Sequence, residues 1–268
     1  MKKTLVSAVL LAAIALTACN ADTPAATSAT EESTTETTTA AVETSESSEA
    51  TEESKDTEAP ADDGFAKYKD ITDAIKTIVD TKDVGGFGDY GECVGILETA
   101  QLSEDPMAAL KYELIDIDNN GTDELFVISD EETKVENGSY HTIFVLGVYT
   151  VDGDGKIIPV TAGWARNRLQ YMKDGTFYRT GSGSANTVVV EFQKYFPDKN
   201  TVESYECYYT TGETDSDGNM IMYKAKDPAA PAFDGSDENV GPYEEFQIAD
   251  DIYTFDNAVS FADFYGKN

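Results

Sequence analysis

Short turn sequences between apolar runs restrict the fold of this chain more than any other feature. From Lys111 onward, runs of β-branched and aromatic residues are joined by turns rich in Asp, Asn and Gly, a pattern typical of antiparallel β-hairpins. The strand pairs predicted in this way are 111–117 with 125–129, 140–151 with 156–162, 168–172 with 176–180, and 188–195 with 201–210. Further predictions are a strand at 220–224, an irregular loop at 226–242, and closing strands at 244–249 and 252–255. The fold class is therefore predicted to be mainly β (α+β), an antiparallel β-meander of hairpins. The sequence does not distinguish an open sheet from a sandwich or a propeller-like arrangement.

Helices are predicted at both ends of this β-rich region. Before it, apolar residues three or four positions apart indicate an amphipathic helix with Asp63 as its N-cap: Phe65, Tyr68, Ile71, Ile75, Ile78 and Val79. The glycines in 85–88 are expected to end this helix, and one or two short helical pieces divided near Pro106 are expected between 90 and 109. Residues 257–265 are predicted to form a short C-terminal helix capped by Asp256.

The first 63 residues contain none of the aromatic residues of the chain and differ from the rest in kind. Residues 1–19 combine Lys2 and Lys3 with an apolar run that is too short to cross a bilayer and is typical of a signal peptide. Residues 20–63 contain 17 Ser or Thr and 13 Asp or Glu, which predicts a disordered acidic tether. The domain organisation is therefore a signal peptide (1–19), a tether (20–63) and a β-rich extracytoplasmic domain (64–268).

The end of the signal peptide contains a recognisable motif. Leu16-Thr17-Ala18-Cys19 resembles the lipobox of bacterial lipoproteins, and the acidic Ser/Thr tether behind it is similar to that of Gram-positive surface lipoproteins. The resemblance implies that Cys19 carries a lipid and that the mature chain starts there. It also implies attachment to the cell membrane, facing the extracellular side. The alternative is an ordinary secretory signal with a chance cysteine.

The charge of the folded part limits its partners. Residues 64–268 contain 38 acidic and 16 basic residues, a formal charge of −22 out of −32 for the whole chain. Such a domain lacks the Lys and Arg excess that non-specific nucleic-acid binding requires, so nucleic acid is excluded as a partner. The expected partners are the membrane, through the anchor at Cys19, and a cell-wall or extracellular glycan or protein.

One loop between two predicted strands has the spacing of a cation site. Side-chain or carbonyl oxygens recur at alternate positions, as Ca²⁺ coordination requires, and the predicted ligands are Asp116, Asp118, Asn120, Thr122 (by its carbonyl) and Glu124. Gly121 allows the sharp turn. The alternative is a polar hairpin turn, because Asn-Gly is also a common turn signal.

The same loop resembles the Asp-x-Asp-x-Asp-Gly loops of EF-hands, dockerins and FG-GAP-type repeats. It departs from the EF-hand because Val127 stands where a bidentate Glu is expected, Asp123 replaces an aliphatic residue, and the flanks are strands. The strand–loop–strand version of the motif is therefore the closer resemblance, and it implies a structural Ca²⁺. The whole arrangement of lipobox, acidic tether, helical start and the hairpin 112–125, with a later Asp174-Gly175 hairpin, also resembles a group of Gram-positive lipoproteins. The similarity covers about residues 64–210 and implies no activity.

Few residues point to catalysis. His141 is the only histidine, so a zinc site with several histidines is excluded. Cys93 and Cys207 could form one disulfide or remain two buried thiols. Aromatic residues could line a sugar- or peptide-binding face or belong to the core, and they are Trp164, Tyr171, Phe177 and Tyr178. The sequence favours a non-catalytic, calcium-stabilised binding or interaction module on the cell surface. The alternative is an extracytoplasmic hydrolase that acts on glycan or cell wall through paired carboxylates.

Overall fold

Eleven antiparallel strands in two sheets form the largest part of the structure, a computed structural model that describes residues 64–135, 138–184, 187–244, 246 and 248–266. In chain order the strands are β1 (Leu110–Ile115), β2 (Glu124–Val135), β3 (Gly138–Val151), β4 (Ile157–Ala162), β5 (Asn167–Tyr171), β6 (Phe177–Ser184), β7 (Thr187–Phe196), β8 (Thr201–Thr214), β9 (Met220–Lys224), β10 (Glu238–Pro242) and β11 (Val259–Ser260). Sheet A has the order β11-β1-β2-β3-β4, and sheet B has the order β10-β9-β8-β7-β6-β5. The predicted mainly β class and the four predicted hairpins are confirmed. Cys19, Asp63, the predicted signal peptide and the predicted tether lie outside the described residues.

Sheet A is covered on one face by helices. These are α1 (Lys69–Thr81), α2 (Val94–Leu102), α3 (Pro106–Ala109) and α4 (Phe261–Gly266). The apolar stripe of α1 predicted from its three-four spacing is buried, with Ile71 and Ile75 both 0% exposed. These side chains share one core cluster with Leu125 and Val127 of β2. The helical layer therefore packs on the face of sheet A toward which alternate residues of β2 point.

The other face of sheet A packs on sheet B. Phe126 of β2 points to this face, and its ring centroid lies 4.9 Å from that of Tyr171 on β5 and 6.2 Å from that of Phe177 on β6. One buried cluster contains these residues together with Val148 of sheet A and Leu169 of sheet B. Both faces of β2 are thus buried along residues 125–128, which explains why this part of the strand is a continuous apolar run instead of an alternating one. The two meanders form a sandwich with helices on one outside face.

The C-terminal part of the chain covers the outer face of sheet B. Phe246, Ile248 and Ile252 pack against Tyr178 and Val190 in a separate cluster. The closing strands predicted at 244–249 and 252–255 are wrong for the residues described: Ala249–Asp251 forms a 3-10 turn, and Ile252 makes a single bridge to Met172. The segment packs through side chains spaced along an irregular backbone. Two backbone hydrogen bonds also hold it without a strand ladder, from the Lys173 amide to the Asp251 carbonyl at 2.8 Å and from the Tyr253 amide to the Tyr171 carbonyl at 2.9 Å.

Several predicted boundaries also differ. The loop predicted at 226–242 ends in the edge strand β10, which pairs with β9. The C-terminal helix begins only at Phe261, because Val259 and Ser260 pair with β1. Its cap is Ser260 and not the predicted Asp256, since the Ser260 hydroxyl accepts a hydrogen bond from the Asp263 amide at 3.0 Å.

The first helix is also shorter than predicted. It follows a 3-10 turn at Phe65–Tyr68 and ends before the glycines, with Lys82 in the left-handed conformation. The short helical pieces predicted between 90 and 109 are confirmed as α2 and α3. No helix in the described part of the chain is both long enough and apolar enough to span a membrane.

Candidate functional site

The acidic loop between β1 and β2 is held in a tight turn by its own carboxylates. Asp116 accepts hydrogen bonds from the amides of Asn120 at 3.0 Å and Gly121 at 2.9 Å. Asp118 also accepts from the Asn120 amide, at 3.1 Å. Gly121 has a φ of 85°, a left-handed conformation that a residue with a Cβ rarely adopts. The loop geometry follows from the Asp-x-Asp-x-Asn-Gly spacing noted in the sequence.

Three of the five predicted ligands converge in this loop. One carboxylate oxygen from each of Asp116, Asp118 and Glu124 lies within 4.8 Å of the others. Glu124 is 0% exposed and accepts hydrogen bonds from the Ile117 amide and the Thr150 hydroxyl, both at 3.0 Å. Burial raises the pKa of Glu124, and the charges of Asp118 and Asp116 raise it further. A hard cation would relieve this repulsion, and three carboxylates are the ligands that Ca²⁺ prefers. We name these three residues the acidic triad.

The other two predicted ligands are not part of the triad. The Asn120 side chain is used within the loop, since its Oδ1 accepts from the Thr122 amide at 2.7 Å and its Nδ2 donates to Asp118 at 2.9 Å. Asp123, the non-ligand position of the motif, anchors the loop instead. Its carbonyl oxygen accepts a hydrogen bond from the Tyr68 hydroxyl at 2.7 Å, which ties the loop to the helical layer.

The loop is also close to sheet B. Burial, together with the nearby charges of Glu124 and Asp118, raises the pKa of Tyr195 on β7 to about 12. The turns led by Asp152 and Asp215 use the same amide-accepting bonds, with Asp215 Oδ1 accepting from Asp217 and Asn219, both at 2.9 Å. Among the described residues, three clustered carboxylates occur only in the acidic triad. The acidic triad lies where the helical layer, sheet A and sheet B meet, so an ion bound there could stabilise the whole domain.

A second site surrounds the chain crossing from sheet A to sheet B. Trp164 and Asn167 close this turn through paired backbone hydrogen bonds of 3.0 and 2.8 Å, and the Ala165 amide donates to Glu98 of α2 at 2.9 Å. The turn lies tightly against α2, because a Cβ on Gly95 would be 2.2 Å from the carbonyl oxygen of Gly163. Glycine at 95 is therefore required for α2 and the crossing turn to pack.

Beside this turn lies a cleft of about 440 Å³ between the two sheets. Aromatic residues line one part of it, Trp164 and Tyr90, and charged residues line another, Arg179, Glu191 and Glu92. Its volume is within the range of small-molecule sites, and it is an open cleft with both aromatic and polar groups in its lining. We name it the Trp164 cleft.

Arg179 is the central polar group of the Trp164 cleft. Its Nη2 donates to the Thr161 hydroxyl at 2.8 Å, its Nε donates to Gln193 at 3.2 Å, and Glu191 lies 3.8 Å away. Burial lowers the pKa of the Arg179 guanidinium, and the negative charges of Glu191 and Glu92 act in the opposite direction. Partners from both sheets thus hold the guanidinium in one position, a rigid planar donor at the cleft wall.

Glu191 is held as firmly as Arg179. It accepts hydrogen bonds from the Ser204 hydroxyl at 2.8 Å and from Gln193 Nε2 at 3.2 Å.

Of the residues that line the Trp164 cleft, the sequence predicted Trp164 as a candidate but not Arg179, Glu191 and Glu92. Of the other candidate aromatics, Tyr171 and Phe177 belong to the buried core between the sheets, and Tyr178 is 4% exposed on the outer face of sheet B. The four therefore do not form one binding platform.

The two cysteines are free thiols in separate clusters. Cys93 precedes α2 and packs with the helical layer, whereas Cys207 on β8 packs with Tyr209 and Tyr223 of sheet B. Of the two alternatives, the structure therefore contains the unpaired thiols and not the disulfide. Burial raises the pKa of both thiols, which makes neither of them a ready nucleophile. The side chain of His141 lies outside the described part of the structure.

No match was found when the chain was compared with protein-family models, with curated proteins and with solved structures.

Proposed function

We propose that this protein is a lipid-anchored, cell-surface binding module, stabilised by Ca²⁺, that binds a glycan in the Trp164 cleft without catalysis. The observation that carries the binding function is the pairing, in one cleft, of Trp164 with the fixed guanidinium of Arg179. Sugar rings present an apolar face that stacks on an indole and hydroxyl groups that accept from a guanidinium. Aromatic and polar groups held side by side therefore fit a carbohydrate better than a purely apolar ligand.

The charged groups of the Trp164 cleft favour binding over hydrolysis. A glycoside hydrolase needs a carboxyl group with a raised pKa to protonate the leaving oxygen. Burial raises the pKa of Glu113 and of Glu124, and neither residue lines the cleft. Glu191 does line it, but this carboxylate is engaged by Ser204, Gln193 and Arg179. These contacts give Glu191 a role in positioning its neighbours.

The proposed Ca²⁺ has a structural role. The residues of the acidic triad do not line the Trp164 cleft, so the ion is not proposed to contact the glycan. The loop contacts the helical layer through Tyr68. A cation there would neutralise the loop and hold β1 and β2 in register. Extracellular Ca²⁺ at millimolar concentration would saturate even a weak site. The lipid anchor proposed at Cys19 and the acidic tether would present the domain to the cell wall.

Replacement of the indole tests the proposed cleft. We expect Trp164→Ala to lower affinity about tenfold or more for any glycan that binds, because the stacking surface is lost. Calorimetry with muropeptides and neutral tetrasaccharides made of glucose or N-acetylglucosamine measures this effect. Tyr205→Ala removes an aromatic side chain that is 42% exposed and does not line the cleft, and it is expected to leave affinity unchanged.

Two results would contradict the proposal. Equal affinity of the wild-type protein and Trp164→Ala would place the glycan elsewhere. Release of new reducing ends by the wild-type protein, abolished in Glu92→Gln or Glu191→Gln, would replace binding by the hydrolase alternative.

A further inference from the structure

The arginines of this chain are concentrated in one place. There are only three among its 19 basic residues, and Arg166, Arg168 and Arg179 all lie within 14 positions. Arg166 lies within the crossing turn that Trp164 and Asn167 close, and Arg168 follows that turn on β5. In a domain with a formal charge of −22, this local excess of guanidinium groups is the opposite of the surrounding surface.

Arg166 and Arg168 line a groove of about 390 Å³ beside the crossing turn. None of the residues that the structure describes along this groove is acidic, and Thr180, Ser182 and Tyr178 also line it. Two guanidinium groups in one groove are donors suited to an anion. Glu98 of α2 is the carboxylate described next to them, and it accepts a hydrogen bond from the Ala165 amide. We name it the arginine groove.

Both arginines are positioned by contacts within the fold. Nη2 of Arg166 donates to the carbonyl of Ser182 at 3.2 Å, and the Ser182 amide donates back to the Arg166 carbonyl at 3.1 Å. The guanidinium carbon of Arg168 lies 5.6 Å from the ring centroid of Phe144. Contacts of this kind reduce the entropy that the side chains would lose when they bind a ligand.

A smaller depression adjoins both the arginine groove and the Trp164 cleft. This depression, of about 230 Å³, shares Ala165 and Arg168 with the groove and shares Trp164 with the cleft. A ligand longer than one sugar ring could therefore contact Trp164 and the two arginines together.

We propose that the ligand of this protein is an acidic glycan, with a sugar ring on Trp164 and a carboxylate or phosphate on Arg166 and Arg168. This inference rests on the proposed glycan-binding function and adds the charge of the ligand. The acidic surface does not prevent it, because interactions between exposed charges are largely screened beyond about 8 Å at physiological ionic strength. Two guanidinium groups at contact distance then outweigh the more distant carboxylates and the single carboxylate of Glu98, which is engaged by the Ala165 amide.

The test uses pairs of oligosaccharides that differ only in charge, bound to the full-length protein in detergent. One pair is tetragalacturonate and its methyl ester; another is a glycerol phosphate-substituted tetrasaccharide and its unsubstituted form. We expect one acidic member to bind about tenfold or more tighter than its neutral partner, since a charged hydrogen-bond pair contributes that much. A difference in the first pair indicates a carboxylate ligand, and a difference in the second pair indicates a phosphate ligand.

The variant Arg166→Gln/Arg168→Gln is expected to remove this difference while the affinity for the neutral member is kept. Lys156→Gln is the control, because it changes the charge of an exposed residue in the β3–β4 turn, outside the groove. The inference is overturned if acidic and neutral members bind equally, or if Lys156→Gln weakens acidic ligands as much as the double variant, and the glycan-binding function then still stands. If no member of any pair binds, the proposed function fails together with the inference.

Discussion

Saturating Ca²⁺ is expected to raise the melting temperature of the full-length protein by about 5–10 °C, and excess EGTA is expected to reverse the increase. Ligand at about one hundred times its Kd adds about 2.7 kcal/mol to the free energy of unfolding. For a domain of this size, 1 kcal/mol shifts the melting temperature by about 2–4 °C. The source of the effect is the acidic triad, whose oxygens lie within 4.8 Å of one another and repel without a cation.

Two variants separate a cation site from a turn. Asp116→Asn is expected to abolish the response to Ca²⁺, because it removes one of three carboxylates. Asp215→Asn changes a similar turn, in which Asp215 accepts from the amides of Asp217 and Asn219 at 2.9 Å, and is expected to keep the full response. Differential scanning calorimetry with and without Ca²⁺ measures both. A wild-type melting temperature that does not change with Ca²⁺ would mean that the loop is only a turn.

Phe126→Ala is expected to lower the free energy of unfolding by about 3–5 kcal/mol, the usual cost of a large cavity in a core. Phe126 is 0% exposed, and its ring contacts Tyr171, Phe177 and Phe255, so its removal opens the interface between the sheets. The surrounding aromatic rings are held by their own strands and can collapse only partly into the space. Urea denaturation, followed by circular dichroism, measures the loss.

Phe196→Ala is the matched control for this variant. Phe196 is 38% exposed at the end of β7, and its loss is expected to cost less than about 1 kcal/mol. If both variants cost the same, the two sheets would not share a common core at Phe126. The packing of sheet A on sheet B also builds the Trp164 cleft, so Phe126→Ala is expected to weaken glycan binding in proportion to the unfolded fraction.

The hairpins could be predicted from the sequence because each depends on local chemistry. Lys173-Asp174-Gly175 illustrates this: Gly175 has a φ of 84°, and Asp174 accepts from the Thr176 amide at 3.0 Å. Both properties belong to the turn residues themselves and need no information from distant parts of the chain. The stripe of α1 was predictable for the same reason.

Edge strands were not predictable in this way. β11 is a pair of residues, Val259 and Ser260, whose strand conformation depends on the edge of β1. β10 contains Gly241 and Pro242, which are poor strand formers, and it pairs with β9 across an irregularity. Conversely, the segment around Ile252 has strand-like composition but packs through side chains. Tertiary contacts decide the conformation in each case.

The two sites also differ in whether they could be identified in the sequence. The acidic triad is formed by residues within nine positions, so its spacing could be identified in the sequence. The Trp164 cleft combines Glu92, Trp164, Arg179 and Glu191, which come together only when sheet A packs on sheet B. The signal that was missed is the concentration of all three arginines beside the only tryptophan in a strongly acidic chain.

The most direct test of the proposed function is the intrinsic fluorescence of Trp164 during titration with glycan fragments. Trp164 is the only tryptophan and lines the cleft and the adjoining smaller depression, so its emission reports this part of the surface. The proposal predicts a saturable change in emission for at least one glycan when Ca²⁺ is present, and a weaker one in Arg179→Lys, since lysine cannot reproduce the planar set of donors. The absence of any saturable change across muropeptides and across neutral and acidic oligosaccharides would contradict it.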